Sequence, residues 1–261
     1  MNDKSVFITR AAAGIGRATA LAFAAKGYTV GAYDIDEAGL RTLTDTAGPR
    51  VVTGHLDVTD AGEIVERVGE FVSAAGGRLD VMVNNAGVMA SGAFVEIPIS
   101  RYHKLVDVNC KGVVNGLHAA YPHLKRTPGS VVVNLASASA IYGQAELAVY
   151  SATKFFVRAM TEALDIEWGR DGIRVIDMWP LYVATAMTAD LRTGSSESLG
   201  INLTAADVAD AIVAAVDAPA LRRRIHQVHF PVGIQTKVMA TASRFLPAWL
   251  SRAMSKRFAQ F

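Results

Sequence analysis

The opening of the chain constrains its fold most. Ser5 to Thr9, SVFIT, is a short apolar run of strand type. From Ile15 the apolar residues of IGRATALAFAAKG recur at helical spacing until Gly27 closes the segment. Between the two lies TRAAAGIG, so a strand, a tight glycine turn and a helix amino terminus follow one another directly. That succession builds an anion site: unbonded backbone N–H groups and the helix dipole receive a pyrophosphate, with Gly14 and Gly16 at the turn. A second strand, TVGAYD, ends at Asp34, about 20 residues beyond the turn, where a carboxylate accepts hydrogen bonds from ribose hydroxyls. The competing role for Asp34 is a helix cap within DIDEAG.

The alternation continues. VVTGHLD is a third strand, AGEIVERVGEFVSAAGG an amphipathic crossover helix, and LDVMV a fourth strand running into Asn84-Asn85-Ala86-Gly87. A long helical stretch from about 100 to 125 follows, with Asn109 inside it, where an asparagine favours a local irregularity. With 261 residues, 51% of them hydrophobic, and a net charge of +2, the chain suits one large α/β domain and gives no footprint for nucleic acid. The lone Cys110 excludes an internal disulfide, and His103, His118 and His123 form no metal-ligand pattern, so no metal is expected. With Met1-Asn2-Asp3-Lys4 leading straight into SVFIT, no signal peptide is expected, nor any membrane span, and the expected compartment is the cytoplasm.

Chemistry concentrates between Ser137 and Lys154. Tyr150 and Lys154 are four residues apart at the start of a helical run, which places both on one face. An ammonium within roughly 4–6 Å lowers a phenol's pKa, so the pair can move a proton. Ser137 follows the buried strand SVVVNLA and so faces that helix from a strand's carboxyl end.

A serine followed thirteen positions later by the tyrosine of YxxxK resembles the catalytic set of the short-chain dehydrogenase/reductase family, and NNAG at Asn84–Gly87 matches that family in full. The resemblance runs from Ser5 to about Gly233. It implies a single doubly wound Rossmann domain, with a parallel sheet and helices on both faces, over residues 1–235, and a C-terminal tail over 236–261. It implies Asn109, Ser137, Tyr150 and Lys154 as the catalytic set, with Asn109 anchoring a water that links Lys154 to solvent. Cofactor contacts carry over to Thr9, Arg10, Gly14, Ile15, Gly16, Asp34, Asp57, Val58, Asn85, Ala86, Gly87, Tyr150, Lys154, Pro180, Val183 and Thr185, and Trp179 is expected beside the nicotinamide.

Two family glycines are missing. Arg10 replaces the first glycine of TGxxxGxG, and Leu181 replaces the glycine of PGxVxT. Asp34, and Ala13 where NADP users carry a basic residue, favour NAD. The implied enzyme is an NAD-dependent oxidoreductase acting on a hydrophobic secondary alcohol or ketone, with Met89, Phe94, Ile141, Tyr142, Leu147, Leu181 and Tyr182 about the substrate. The alternatives are an NADP-dependent carbonyl reductase in which Arg10 pairs with Asp34 or holds the 2′-phosphate, and a dinucleotide-binding regulatory or scaffold protein without turnover.

The stretch from about 187 to 203, with TGSSESLG, is expected to form a lid. The tail carries Phe245, Leu246, Trp249, Leu250, Met254 and Phe258 among Arg244, Arg252, Lys256 and Arg257, with Pro247 starting a helix. It is expected to pack on the domain, a partner subunit or the substrate mouth, with weak membrane-surface contact as the other use. A homodimer or homotetramer is implied by the resemblance.

Overall fold

A computed structural model describes residues 4–189, 193–218 and 227–260 of the chain. The expected lid therefore includes residues 190–192 that lie outside the described residues, as do Met1–Asp3, Phe261 and the side chain of Met254.

Strand and helix alternate as β1 (Ser5–Thr9), α1 (Gly14–Ala25), β2 (Thr29–Asp34), α2 (Glu37–Ala47), β3 (Val51–His55), α3 (Ala61–Ala74) and β4 (Val81–Asn84). Then come α4 (Ile99–Val106), a π-helical turn (Asp107–Lys111), α5 (Gly112–Leu124), β5 (Val131–Leu135), α6 (Ala148–Trp168) and β6 (Arg174–Trp179). The last part holds β7 (Val183–Ala184), α7 (Gly194–Leu199), β8 (Leu203–Thr204), α8 (Ala205–Val216), β9 (His229–Pro231), α9 (Ile234–Ala242) and α10 (Ala248–Ala259). Seven strands form one sheet in the order β3-β2-β1-β4-β5-β6-β9, and every neighbouring pair is parallel. This is the doubly wound Rossmann arrangement expected, with its order reversing between β1 and β4.

Strands buried on both faces explain the near-continuous apolar runs in the sequence. Along β1, Val6 and Ile8 face a core shared with Ala20 and Phe23 of α1 and Val208 and Ile212 of α8. Phe7 between them faces the opposite core, stacked on Tyr33 with ring centres 4.5 Å apart and edge-on to Phe71 at 5.7 Å. The crossover helices begin at acidic caps: Asp36 accepts from the Gly39 amide, and Asp60 from those of Gly62 and Glu63. Asp36, not Asp34, is thus the cap of DIDEAG.

The first asparagine of NNAG ties the sheet together. Asn84 donates to Asn134 of β5 at 2.9 Å, and Asn134 donates to Thr161 of α6 at 3.0 Å. Gly116 of α5 lies against this chain so closely that a Cβ there would fall 2.1 Å from Asn84 Oδ1. Replacing Gly116 with alanine is expected to cost about 1–3 kcal/mol, read as a lowered thermal midpoint, whereas Gly69→Ala, at an open position inside α3, is expected to raise it by the equivalent of about 0.5–1 kcal/mol.

Candidate active site

The carboxyl end of β5 and the first turns of α6 bring Ser137, Tyr150 and Lys154 together. Ser137 has extended backbone (φ −174°), and its hydroxyl accepts from the Ser139 amide at 3.1 Å while lying beside the Tyr150 phenol. Burial pushes the Tyr150 phenol above its ordinary value, against the Ser137 hydrogen bond and the charge of Arg10. Lys154 lies with its Nζ 5.6 Å from the Tyr150 ring centre and donates to the Leu135 carbonyl at 2.7 Å. Burial lowers the Lys154 ammonium to about 8. The expected pairing of charges is therefore altered: in this state the cation that draws Tyr150 down is Arg10, and desolvation outweighs it.

Asn109 produces the irregularity anticipated for it. It is buried in the π-helical turn, accepts from the Val88 amide at 2.8 Å, and donates to the Val88 carbonyl at 2.9 Å and to Thr153 at 3.0 Å. Gly87 packs next to it: a Cβ there would stand 3.4 Å from Asn109 Oδ1 and 3.6 Å from Lys154 Nζ.

At the switch point, the start of α1 forms a cradle. Gly14 takes φ +54° against Thr185, and a Cβ on Gly16 would fall 2.1 Å from the Arg10 carbonyl oxygen. Gly14 and Ile15 line the cavity that also holds Ser137, Tyr150, Lys154, Pro180, Val183 and Thr185. Thr9 does not reach this surface. It is buried, and its hydroxyl accepts from the amides of Asn85 and Ala86, both at 3.0 Å, so it braces the NNAG loop. Asn85 returns the brace by donating to the carbonyls of Thr9 and Arg10, both at 3.0 Å.

Asp34, Asp57, Val58 and Ala86 line a second cavity of about 420 Å³ on the other side of β1, whereas the first has about 130 Å³ of open volume. The two share only Arg10 and Gly87, and these are hydrogen-bonded to each other, Arg10 Nη1 to the Gly87 carbonyl. Arg10 thus clasps the groove shut between its halves. It does so from a left-handed backbone (φ 53°), where a side chain is strained and the family's glycine is not. The Asp34 oxygens accept from the amides of Ala12 at 2.9 Å and Asp36 at 3.1 Å, and Arg10 donates to Gly87 while its charge still interacts with Asp34 without a direct hydrogen bond.

Leu181, at the other missing glycine, is not among the described positive-φ residues, so its side chain costs no strain and joins the cavity wall. Met89, Leu147 and Tyr182 line the same cavity, as expected. Phe94, Ile141 and Tyr142 do not. Phe94 is exposed and stacked on Tyr102 at 5.1 Å, Ile141 packs on the core beneath α6, and Tyr142 accepts from Gln144 at 3.3 Å. Gln144 and Ser139 are polar lining residues that sequence reasoning missed. Gln144 is buried, accepts from Ser139 at 2.8 Å, and so extends the polar chain from Ser137. A lone glutamine in an irregular loop carries no periodic signal that would have found it.

Trp179 is also not where it was expected. Its indole turns away from the cavity and stacks on His229 at 4.6 Å, with Arg158 4.9 Å from its ring centre. His229 in turn bridges buried Asp177 at 2.8 Å and Glu162 at 2.7 Å, which locks β9 onto β6 and α6. Among the described residues no cluster of side chains could hold a metal ion, and no helix is long and apolar enough to cross a membrane.

Comparison with known proteins gives a consistent picture. The family model described as short chain dehydrogenase matches residues 4–196. A 3-oxoacyl-(acyl-carrier-protein) reductase of Thermotoga maritima is 35% identical over 201 residues, covering 76% of this chain and 81% of that protein. The probable oxidoreductase EphD of Mycobacterium tuberculosis is 37% identical over 194 residues, which take in 72% of this chain but 32% of that longer protein. Among solved structures, the 3-ketoacyl-(acyl-carrier-protein) reductase of Brucella melitensis complexed with NADH superposes with a TM-score of 0.80 at 27% identity, covering 88% of this chain and 96% of that one.

Proposed function

The chain belongs to the short-chain dehydrogenase family, and from that membership we propose that it is an NAD-dependent oxidoreductase interconverting a hydrophobic secondary alcohol and its ketone. The observation that carries this reading is the convergence of Ser137, Tyr150 and Lys154 on one cavity whose other walls are Met89, Leu147, Leu181 and Tyr182.

The residues present fit a dinucleotide. The α1 amino terminus offers amides without helical acceptors, and Gly14, in a left-handed backbone at φ +54°, lines the cavity beside Thr185, while Gly16 lets the Arg10 carbonyl and Asn85 pack tightly beneath the turn. Gly14, Ile15 and Gly16 would hold the phosphates, Asp34 with Asp57 and Val58 the adenosine, and Pro180, Val183 and Thr185 the nicotinamide amide, while Asn85, Ala86 and Gly87 form the facing wall. When bound, the nicotinamide supplies the hydride acceptor or donor. Ser137 donates a hydrogen bond to the substrate oxygen, and Tyr150 exchanges a proton with that oxygen through its hydroxyl. Lys154 supplies the charge beside the phenol, and Asn109 fixes the Val88 backbone and Thr153 around it, with the water relay as its further role. A homodimer or homotetramer in the cytoplasm completes the reading.

Calorimetric titration with NADH and then NADPH tests it. Tighter NADH binding is expected from the Asp34 carboxylate, whose charge disfavours a 2′-phosphate. Tighter NADPH binding would instead make Arg10 a phosphate ligand and the protein an NADP-dependent carbonyl reductase, and binding of neither would overturn the oxidoreductase reading.

The pH dependence follows from the two site groups. With Tyr150 raised and Lys154 lowered to about 8, the phenol is protonated and the ammonium charged at neutral pH. Carbonyl reduction, which needs the phenol as acid, keeps that acid because the phenol is raised, so its kcat/KM is expected to hold from about pH 6 to about 8 and to fall above that as the Lys154 ammonium beside the phenol loses its proton, whereas alcohol oxidation, which needs the phenolate, is expected to rise only at higher pH where the phenol ionises. Parallel profiles in the two directions would count against Tyr150 as the proton carrier.

A further inference from the structure

We propose that residues 234–260 form a peripheral anchor that settles on anionic bilayers. From Ile234 to the end of the chain there is no aspartate or glutamate, while Lys237, Arg244, Arg252, Lys256 and Arg257 supply five positive charges in a chain whose net charge is +2. All five cations are exposed, and among the described residues none is in an ion pair.

Each of the two helices exposes one stripe that mixes cations with apolar residues. On α9, Thr236 and Ala240 are buried, while Ile234, Lys237, Val238 and Thr241 form an exposed stripe at the i, i+3, i+4, i+7 spacing of one helix face. On α10, Ala259 is buried, and Trp249, Arg252, Ala253 and Lys256 form the exposed stripe. At the junction, on either side of Pro247, stand Phe245 and Trp249, 82% and 71% exposed, flanked by Arg244 and Arg252. Burying two aromatic rings would normally favour a protein partner as much as a lipid. A second copy of this chain would bring its own five cations against these, however, and like charges disfavour that pairing. A bilayer with anionic headgroups satisfies both features, with the rings at the headgroup boundary and the cations among the phosphates.

The far end of the anchor is fastened to the reaction cavity. Ser198 of α7 donates to the Phe258 carbonyl at 3.0 Å and accepts from Gln260 at 3.3 Å, and Leu199 of α7 packs against Leu147 and Tyr182 of the cavity wall. An apolar substrate dissolved in the bilayer would therefore be delivered next to the cavity that takes it.

Flotation of the intact protein with vesicles of phosphatidylcholine alone, or with roughly one-third phosphatidylglycerol, tests the proposal. At least tenfold greater recovery with the anionic vesicles is expected, falling as salt is raised from about 0.1 to 0.5 M. The double variant F245S/W249S should lose this binding with an unchanged thermal midpoint, and R244E/R252E should lose it while keeping both rings. Equal recovery on both lipids, or binding that survives both variants, would overturn the proposal. So would concentration-dependent self-association that F245S/W249S abolishes in a protein that ignores vesicles, because the face would then belong to a second copy. Flotation is read without turnover, so it succeeds or fails independently of the oxidoreductase reading.

Discussion

Tyr150→Phe is expected to leave NADH binding unchanged and to lower turnover about thousandfold, within the roughly 10²–10⁴ that a positioned acid–base group contributes. The phenylalanine ring keeps the packing against Leu147, Tyr182 and Leu181, so the cavity wall survives. What disappears is the hydroxyl beside Ser137, the group that meets the substrate oxygen with a transferable proton. Calorimetry gives the binding arm and nicotinamide absorbance the turnover arm. A variant within about tenfold of the parent would remove Tyr150 from the proton-transfer role, since the loss should appear in kcat and kcat/KM together.

Arg10→Gly is expected to tighten NADH binding about ten- to hundredfold. A dinucleotide spanning both cavities must pass between Arg10 and Gly87, so the clasp has to open first. A hydrogen bond from a charged donor contributes roughly 1.5–3 kcal/mol, which corresponds to that range in affinity. Thermal stability should change little, because glycine occupies the φ 53° backbone without strain and offsets the lost clasp. If the variant binds NADH more weakly, the guanidinium is a ligand of the bound dinucleotide rather than its obstruction. If it loses NADPH alone, the guanidinium belongs to the 2′-phosphate.

Both predictions concern residues that the sequence displayed openly, yet with different success. The alternation of strands and helices followed from apolar periodicity, since a strand buried on both sides has nowhere to place polar residues, whereas the doubly wound parallel sheet with helices on both faces came from the family resemblance. Asn109 was legible because a mid-helix asparagine conflicts with helix propensity, and the π-helical turn is how that conflict resolves. Thr9, Trp179 and Phe94 were misplaced because each lies near the site in sequence while its orientation is set by a tertiary partner: the NNAG amides, His229 and Tyr102 respectively. Arg10 was visible as a departure from glycine, but its acceptor, the Gly87 carbonyl, is 77 residues away and has no local signature.

Gly194 joins three segments at one residue. Its amide donates to the Glu146 carboxylate at 3.1 Å, Glu146 itself holds a left-handed backbone at φ 63°, and a Cβ on Gly194 would fall 2.2 Å from the Ala259 carbonyl oxygen. α10 therefore meets the start of α7 backbone to backbone, and α7 is tied in turn to the loop that precedes Leu147. Any side chain at position 194 would force α10 away from the start of α7, beside the wall of the reaction cavity.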